Sequence, residues 1–483
     1  MSITQKVVGS LQDQKIYHFS KGPPLFFVMM RLNVKVALTF LLLIGILTIV
    51  VLYSFCGDSP KEWHRLKYDS LNNGFDLQET EEIECDINGE YIIMCKKEGD
   101  EVYGKLATYD GSEKFEWSHS YSKVYHPKAK YDPRGVFMYF ENYNVEVRER
   151  VKCVSAIEGV PISTQWESQG YYYPTQIAQF GLSHYSKNLT EPEPRRKTIE
   201  DSDKELGKWL VPNSAKVERI FDNVKGSKIL QFSTSENYLD GVKLKMDHVL
   251  HFFMGVHIML SGNSSFSIIL QNRETKKIYN LHYINSDVWI TAQENNIYHG
   301  IGTMQEWKRL TRDLIIDLQK GLNYLDKDKS KHKIPRSKLK IINITLRGSG
   351  AIDNLTLSSS EHIQQFYDAA EWFVRHQDAD TGGWTIPVKR RLASGFEDLQ
   401  PGWYSSMGQG HAISVLSRAY YHSQGDVRYL NAALNGLKPF RVPSSKGGVL
   451  ATFLNKYHWY EEYPTKTTIF CLKRFHLLSP GII

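Results

Sequence analysis

Close to residue 359 the spacing of apolar residues changes, and this change constrains the fold more than any other feature of the chain. Before it, apolar and polar residues alternate between Gly, Pro and Asn punctuation. Examples are GVFMYFENYNVEVRERVKCVSAIEGV (135–160), VLHFFMGVHIMLSG (249–262) and SFSIILQNRE (265–274). A period of two sends successive side chains to opposite faces and reads as β-strand. After it, Ile363, Phe366, Tyr367, Ala370 and Val374 recur at helical spacing. So do Ala412, Leu416 and Ala419, then Leu430, Ala433, Leu434 and Leu437. Strands in one block and helices in the next predict an α+β chain of several domains.

The bulk numbers agree with that division. At 483 residues the chain is too long for one ordinary domain, and 41% hydrophobic with 23% charged residues is a globular balance. The formal net charge of +6 suits an acidic partner and gives no argument for nucleic acid. Tyrosine, at 28 residues, is abundant enough to line a polar cleft, or simply to fill strands and cores.

Upstream, Val36–Phe55 runs twenty residues without a charge. At ~1.5 Å per residue such a helix crosses a hydrocarbon core of about 30 Å. No cleavage site follows, so the run is expected to be a signal anchor rather than a removed leader. Basic residues flank both ends, which leaves the positive-inside rule undecided. The sequons at Asn188, Asn263, Asn343 and Asn354 all follow the run and favour a single-pass type II chain. Met30, directly before RLNVKVALT, is an alternative start to Met1. The five cysteines (Cys56, Cys85, Cys95, Cys153, Cys471) match no metal-ligand spacing; Cys85 and Cys95 either pair across a hairpin or remain thiols.

The expected organisation is a tail (1–35), the span (36–55), a stem (56–84) and a β-rich domain with a cleft (85–193). A β-barrel or sandwich (194–358) and a helical domain (359–483) follow. PRRKTIEDSDKELGKW (194–209) reads as a charged linker or surface loop. Read as a strand, the stretch after Tyr143 points Val145, Val147, Val151 and Cys153 one way. Glu146, Arg148, Arg150 and Lys152 then point the other way, as a stripe rich in cations. Helices with loops carrying GGW (382–384) and PGWYSSMGQGHA (401–412) resemble an (α/α) toroid, incomplete with so few helices.

Five strings occur in order: HSYSKVYHPKAKYDPRGVFMYFENYNVEVRERVKC, GVPISTQWESQGYYYPTQIAQFGLSHYSKNLTE, GGW, LQPGWYSSMGQGHAIS and NKYHWYEEYPT. Together, across roughly residues 100 to 465, they resemble the heparosan-N-sulfate-glucuronate 5-epimerase family. The resemblance implies inversion at carbon 5 of D-glucuronate to L-iduronate in N-sulfated heparosan, in a Golgi membrane with the catalytic part luminal. It also implies a homodimer. The chemistry needs a base on one face of the sugar, an acid on the other and a cation for the carboxylate. No GxGxxG or P-loop occurs, and no organic cofactor is expected.

Carried over by position, the resemblance puts the catalytic pair at Glu462 and Tyr463. Substrate contacts fall at Tyr143, Arg148, Glu149, Arg150, Gln165, Tyr173, Gln176 and Gln179, and at Arg391 and Ser394. There RLAS (391–394) departs from the family's KLGE. Tyr131 and Tyr185 match further family tyrosines, with core packing as the alternative. Thr198, Glu200, Thr234 and Asp353 match calcium-ligand positions, and all-oxygen donors suit that ion. After Thr465 the family continues with a segment resembling IYDLRHF, which supplies a tyrosine, an arginine and a later tyrosine. Here the sequence reads KTTIFCLKRFHLLSPGII. The resemblance therefore leads to the expectation of a truncated chain, inactive alone. Two other readings stand beside it: a non-catalytic binder of heparan precursors, and a polysaccharide lyase or glycoside hydrolase.

Overall fold

The longest apolar-polar alternations become two strands of twenty residues each, and the rest of the β-domain is arranged around them. The computed structural model describes residues 131–235, 241–303, 306–325, 334–392, 397–453 and 456–465, and the backbone of four strands between 81 and 117. The uncharged run 36–55, Cys56, Cys471 and Ser394 lie outside the described residues. Among those described, no helix is long and apolar enough to cross a membrane.

Two compact units are distinguished, residues 1–123 and 124–483. In the first, β1 (Glu81–Ile87) pairs antiparallel with β2 (Tyr91–Lys97), and β3 (Gly104–Tyr109) with β4 (Ser112–Trp117). The register sets Cys85 opposite Ile93 and Cys95 opposite Ile83, so the two cysteines are not cross-strand partners.

The second unit begins with a small antiparallel sheet of β5 (Val151–Val154), β6 (Pro161–Ser163) and β7 (Tyr171–Tyr172), then helix α1 (Pro174–Thr190). Ten strands follow: β8 (Arg196–Glu200), β9 (Lys216–Asp222), β10 (Ser227–Ser233), β11 (Val242–His248), β12 (Phe253–Asn272), β13 (Ile278–Ile284), β14 (Thr291–Gln293), β15 (Asn296–Gly300), β16 (Lys308–Asp313) and β17 (Leu339–Ser358). Helix α2 (Leu314–Leu325) lies between the last two. Helices α3 (His362–Arg375), α4 (Ser406–His422) and α5 (Val427–Asn435) come next, then the hairpin of β18 (Leu450–Phe453) and β19 (Tyr457–Tyr460).

β12 and β17 pair along their whole length, but the register breaks between Ser261 and Ser265. Opposite the break, Gly348 has φ +82°, and a Cβ there would collide with Ser264. Only glycine takes that close approach without strain. On one side of the break the partners are β16, β10 and β8; on the other they are β13 and β11. The two halves share one core, with Leu230, Phe232, Met254 and Leu357 from the first and Leu244, Phe266, Leu281 and Ile344 from the second. The expected barrel or sandwich is thus one hydrogen-bonded sheet folded over by two bent strands.

The helices pack separately. α1 is central, buried on nearly every side, and crosses α3 and α4 at Gly181, where a Cβ would come within 2.9 Å of Ala369. No toroid is closed among the described residues.

Three local expectations are corrected. Residues 145–150 are turns rather than strand: Val147 is exposed, while Glu146 is buried with Lys187 at 3.8 Å and His184 at 3.9 Å. Those partners on α1 turn the carboxylate inward and break the alternation. The β-rich block up to residue 193 contains α1, whose all-round burial leaves no polar stripe for periodicity to reveal. The charged stretch from 194 contains β8, where Arg196 pairs with Glu361 and the buried Glu200 with Arg219.

Candidate active site

Segment 457–463 is held by backbone before any side chain is considered. β19 pairs with β18, Glu461 N–H donates to Val449 O (2.8 Å), and the start of α4 grips the same stretch. Ser406 N–H donates to Glu461 O (3.1 Å) and Ser406 Oγ to Tyr460 O (3.1 Å). Ser405, the N-cap of α4, accepts from Gly408 N–H, which meets one of the unsatisfied donors of the first turn. A helix N-terminus therefore anchors the two residues before the Glu462–Tyr463 pair. Glu461 and Glu462 are buried.

Tyr463 enters an aromatic cluster. Its ring lies 5.9 Å from Trp403, which is 6.0 Å from Trp166, which is 5.4 Å from Tyr173; Tyr171 is 5.8 Å beyond. The Trp403 indole is fixed by donating to Val388 O (3.0 Å). Tyr173 caps α1, with Pro174 at its first position, where a missing N–H costs nothing. Trp166 has φ +74°, a left-handed conformation rare for a bulky residue. Strain of this kind is concentrated at functional sites. Burial, with Tyr173 beside it, pushes the Tyr171 phenol well above its ordinary value, so it stays neutral.

The guanidinium in this cluster belongs to Arg390. Its Cζ lies 4.8 Å from the Trp166 ring centre and 5.6 Å from that of Tyr463. Arg390 and Leu399 exchange both backbone hydrogen bonds (2.9 and 3.0 Å), which fixes the side facing the cluster. The next residue, Arg391, is exposed. Sequence reasoning named Arg391 and missed both Arg390 and Trp166; one residue of register separates the two arginines.

A second group gathers near the start of α1. Arg148 stacks 3.8 Å over Tyr143, whose hydroxyl donates to Gln179 Oε1 (3.3 Å), and Arg150 donates to Gln165 Oε1 (3.3 Å). Lys320 of α2, buried, donates to Arg148 O and Val151 O (both 2.7 Å) and ties this turn to the sandwich. Glu149 is exposed and Gln176 is buried on α1. Gln165 and Trp166 are adjacent, so one loop serves both groups. Tyr185 is a core residue packed on Phe366 and donating to Arg134 O, whereas Tyr131 is exposed.

The four calcium candidates are not drawn together. Glu200 lies opposite Leu355, two residues from Asp353, and Thr198 opposite Thr356. Thr234 instead bonds Gly348, five positions from Asp353 along β17. The Glu200 carboxylate already accepts from Trp209 Nε1 (2.7 Å) and from Arg219. A carboxylate so engaged is a poor free ligand.

Comparisons with known proteins bear on this arrangement. The family model described as D-glucuronyl C5-epimerase, beta-sandwich domain, matches residues 226–349, and that described as D-glucuronyl C5-epimerase C-terminus matches residues 377–478. The chain is 33% identical over 449 residues to a D-glucuronyl C5-epimerase of Caenorhabditis elegans, covering 82% of this chain and 71% of that protein. An uncharacterized protein of Methanocaldococcus jannaschii is 35% identical over 81 residues, 16% of this chain and 26% of its own length. Among solved structures, a family 11 carbohydrate-binding module of a Clostridium thermocellum cellulase aligns at 13% identity, covering 34% of this chain and 95% of the module. Its TM-score of 0.22 is too low to carry an inference.

Proposed function

The chain belongs to the D-glucuronyl C5-epimerase family, and from that premise we propose that it inverts carbon 5 of glucuronate within N-sulfated heparosan. Glu462 and Tyr463 are the proton carriers. Arg148 and Arg150 hold sulfate and carboxylate groups of the polymer, and Trp166, Tyr173 and Trp403 stack against sugar rings. The observation that carries the reading is the placement of Tyr463, next to a buried glutamate and inside an aromatic cluster that also holds a guanidinium. Removing a proton α to a carboxylate needs a positioned base and a nearby positive charge, and both lie within this cluster.

The expectation of an inactive chain counted an arginine and further tyrosines as missing. Arg390 and Tyr171 supply an arginine and a further tyrosine from the described part, and the proposal is that the chain turns over. The finer setting follows the family resemblance: a type II Golgi protein, luminal beyond residue 55, working as a homodimer.

The test incubates the full chain with N-sulfated heparosan in deuterated water and follows exchange of the carbon-5 hydrogen. Tyr463→Phe and Glu462→Gln are each expected to lower exchange by ~10²-fold or more, the usual contribution of a positioned acid or base. Variants that exchange as fast as the parent would remove the pair from the mechanism.

A further inference from the structure

Among the described residues, Arg390 is the cation of the aromatic cluster and has no carboxylate paired with it. Arg196, Arg219, Arg312 and Arg428 each face Glu361, Glu200, Asp317 or Glu371. Lys389, one residue away, pairs with Asp398 at 3.0 Å. Among the described residues no carboxylate is ion-paired with Arg390, and its Nε is buried without a hydrogen-bond partner. A half-buried guanidinium is costly to leave without an anion, since a buried N–H that bonds nothing loses its hydration for no return. Its bed of two rings is favourable for a guanidinium but neutralises no charge.

The surroundings explain why an anion would complete this site. The Leu399 backbone bridge and the nearby rings of Trp166 and Tyr463 limit the directions the side chain can take. A planar fork held in one orientation matches a carboxylate in bidentate fashion, which a lysine ammonium cannot do. A neighbouring proton carrier makes a uronate carboxylate the fitting anion, because the atom it deprotonates is the carbon bonded to that carboxylate.

We propose that Arg390 binds the carboxylate of the reacting uronate and holds carbon 5 against Tyr463 and Glu462. This rests on the functional reading above and adds the residue that receives the charge. When the C5–H bond breaks, the proton goes to the base and the electron pair moves into the carboxylate as an enediolate. Arg390 faces that second negative charge. Return of a proton to carbon 5 from the opposite face restores the carboxylate with the other configuration, and nothing else is consumed.

The experiment couples the protein cation to the substrate anion. Dissociation constants are measured by titration calorimetry for a short N-sulfated oligosaccharide with one glucuronate and for the same compound as its uronate methyl ester. The parent chain, Arg390→Gln and Arg390→Lys are compared. The parent should prefer the free acid by roughly 10- to 100-fold, the range for a hydrogen bond to a charged group. Arg390→Gln should bind both compounds alike, and Arg390→Lys should keep only part of the preference. Near-ultraviolet dichroism on each variant checks that the tryptophan cluster survives. If Arg390→Gln disturbs it, Arg390→Lys, which keeps charge and length, decides the matter. Discrimination unchanged in the intact variant overturns the assignment, as does a parent with no preference. Carbon-5 exchange by the parent separates the cases: exchange with unchanged discrimination refutes only Arg390, whereas no exchange refutes the functional reading beneath it.

Discussion

At the scale of single residues, what the sequence reveals depends on how local the signal is. Glu462 and Tyr463 sit in a dense, unusual string, and the structure places Tyr463 in an aromatic cluster. Arg390 does not stand out beside Lys389 and Arg391, because only the backbone bridge to Leu399 decides which of three successive cations faces inward. Buried charges behave in the same way. Arg312 of β16 donates to both oxygens of Asp317 and also to Val154 O, and Tyr283 donates to Asp317 (2.6 Å). Burial alone would raise the Asp317 carboxyl, but Arg312 holds it below its ordinary value. This network of four residues joins β5, β13, β16 and α2, from positions up to 163 apart in sequence, and no local pattern announces it. Asp317→Ala leaves the Arg312 guanidinium buried without its anion and is expected to cost about 3–5 kcal/mol. Urea unfolding of the two chains measures it; a loss under about 1 kcal/mol would mean that Arg312 finds another partner. Adding Arg312→Met to that variant should recover part of the loss.

Among elements, the helices after residue 359 were legible from their apolar spacing, α4 included although it is buried on nearly every side, whereas α1 was not. α3 shows a clear apolar stripe and begins close to where the period changes. α1 falls inside the block expected to be β-rich, and its Tyr-rich start directly after β7 hides the change of period. VEVRER alternates like a strand, yet neighbours on α1 and α2 hold it as a turn. β15 offers a test of what full burial does to one element. His299 stacks on Tyr283 (5.8 Å) with Nε2 3.9 Å from Asp317. Burial outweighs that attraction and lowers its pKa to about 4. In the unfolded chain a histidine titrates near its ordinary ~6.5. As pH falls through that value the unfolded state gains a proton that the folded state refuses until about pH 4. Stability from this group is therefore complete above about pH 6.5 and lost progressively down to about pH 4, by about 3 kcal/mol. His299→Gln should unfold with a shallower pH dependence across that window. Parallel curves for the two chains would show that His299 does not titrate as its burial requires.

For the whole molecule, the order of domains was legible because strands and helices occupy separate blocks of sequence. The way they join was not. The sandwich is closed by bent β12 and β17, whose break lies at Gly262-Asn263-Ser264 against Gly348, and a period-two pattern passes through such a bend unchanged. The candidate site is likewise assembled from distant parts: the β6–β7 loop with Trp166, the cap of α1, the bridge between Arg390 and Leu399, and the segment anchored on α4. Proton transfer at carbon 5 is the central claim, and the product made in deuterated water tests it most directly. The full chain, incubated with N-sulfated heparosan and examined by nuclear magnetic resonance, should yield iduronate residues bearing deuterium at carbon 5. A polymer cut to 4,5-unsaturated uronates would make the chain a lyase, and glucuronate recovered with all its carbon-5 hydrogen would leave it a binder; either result contradicts the claim.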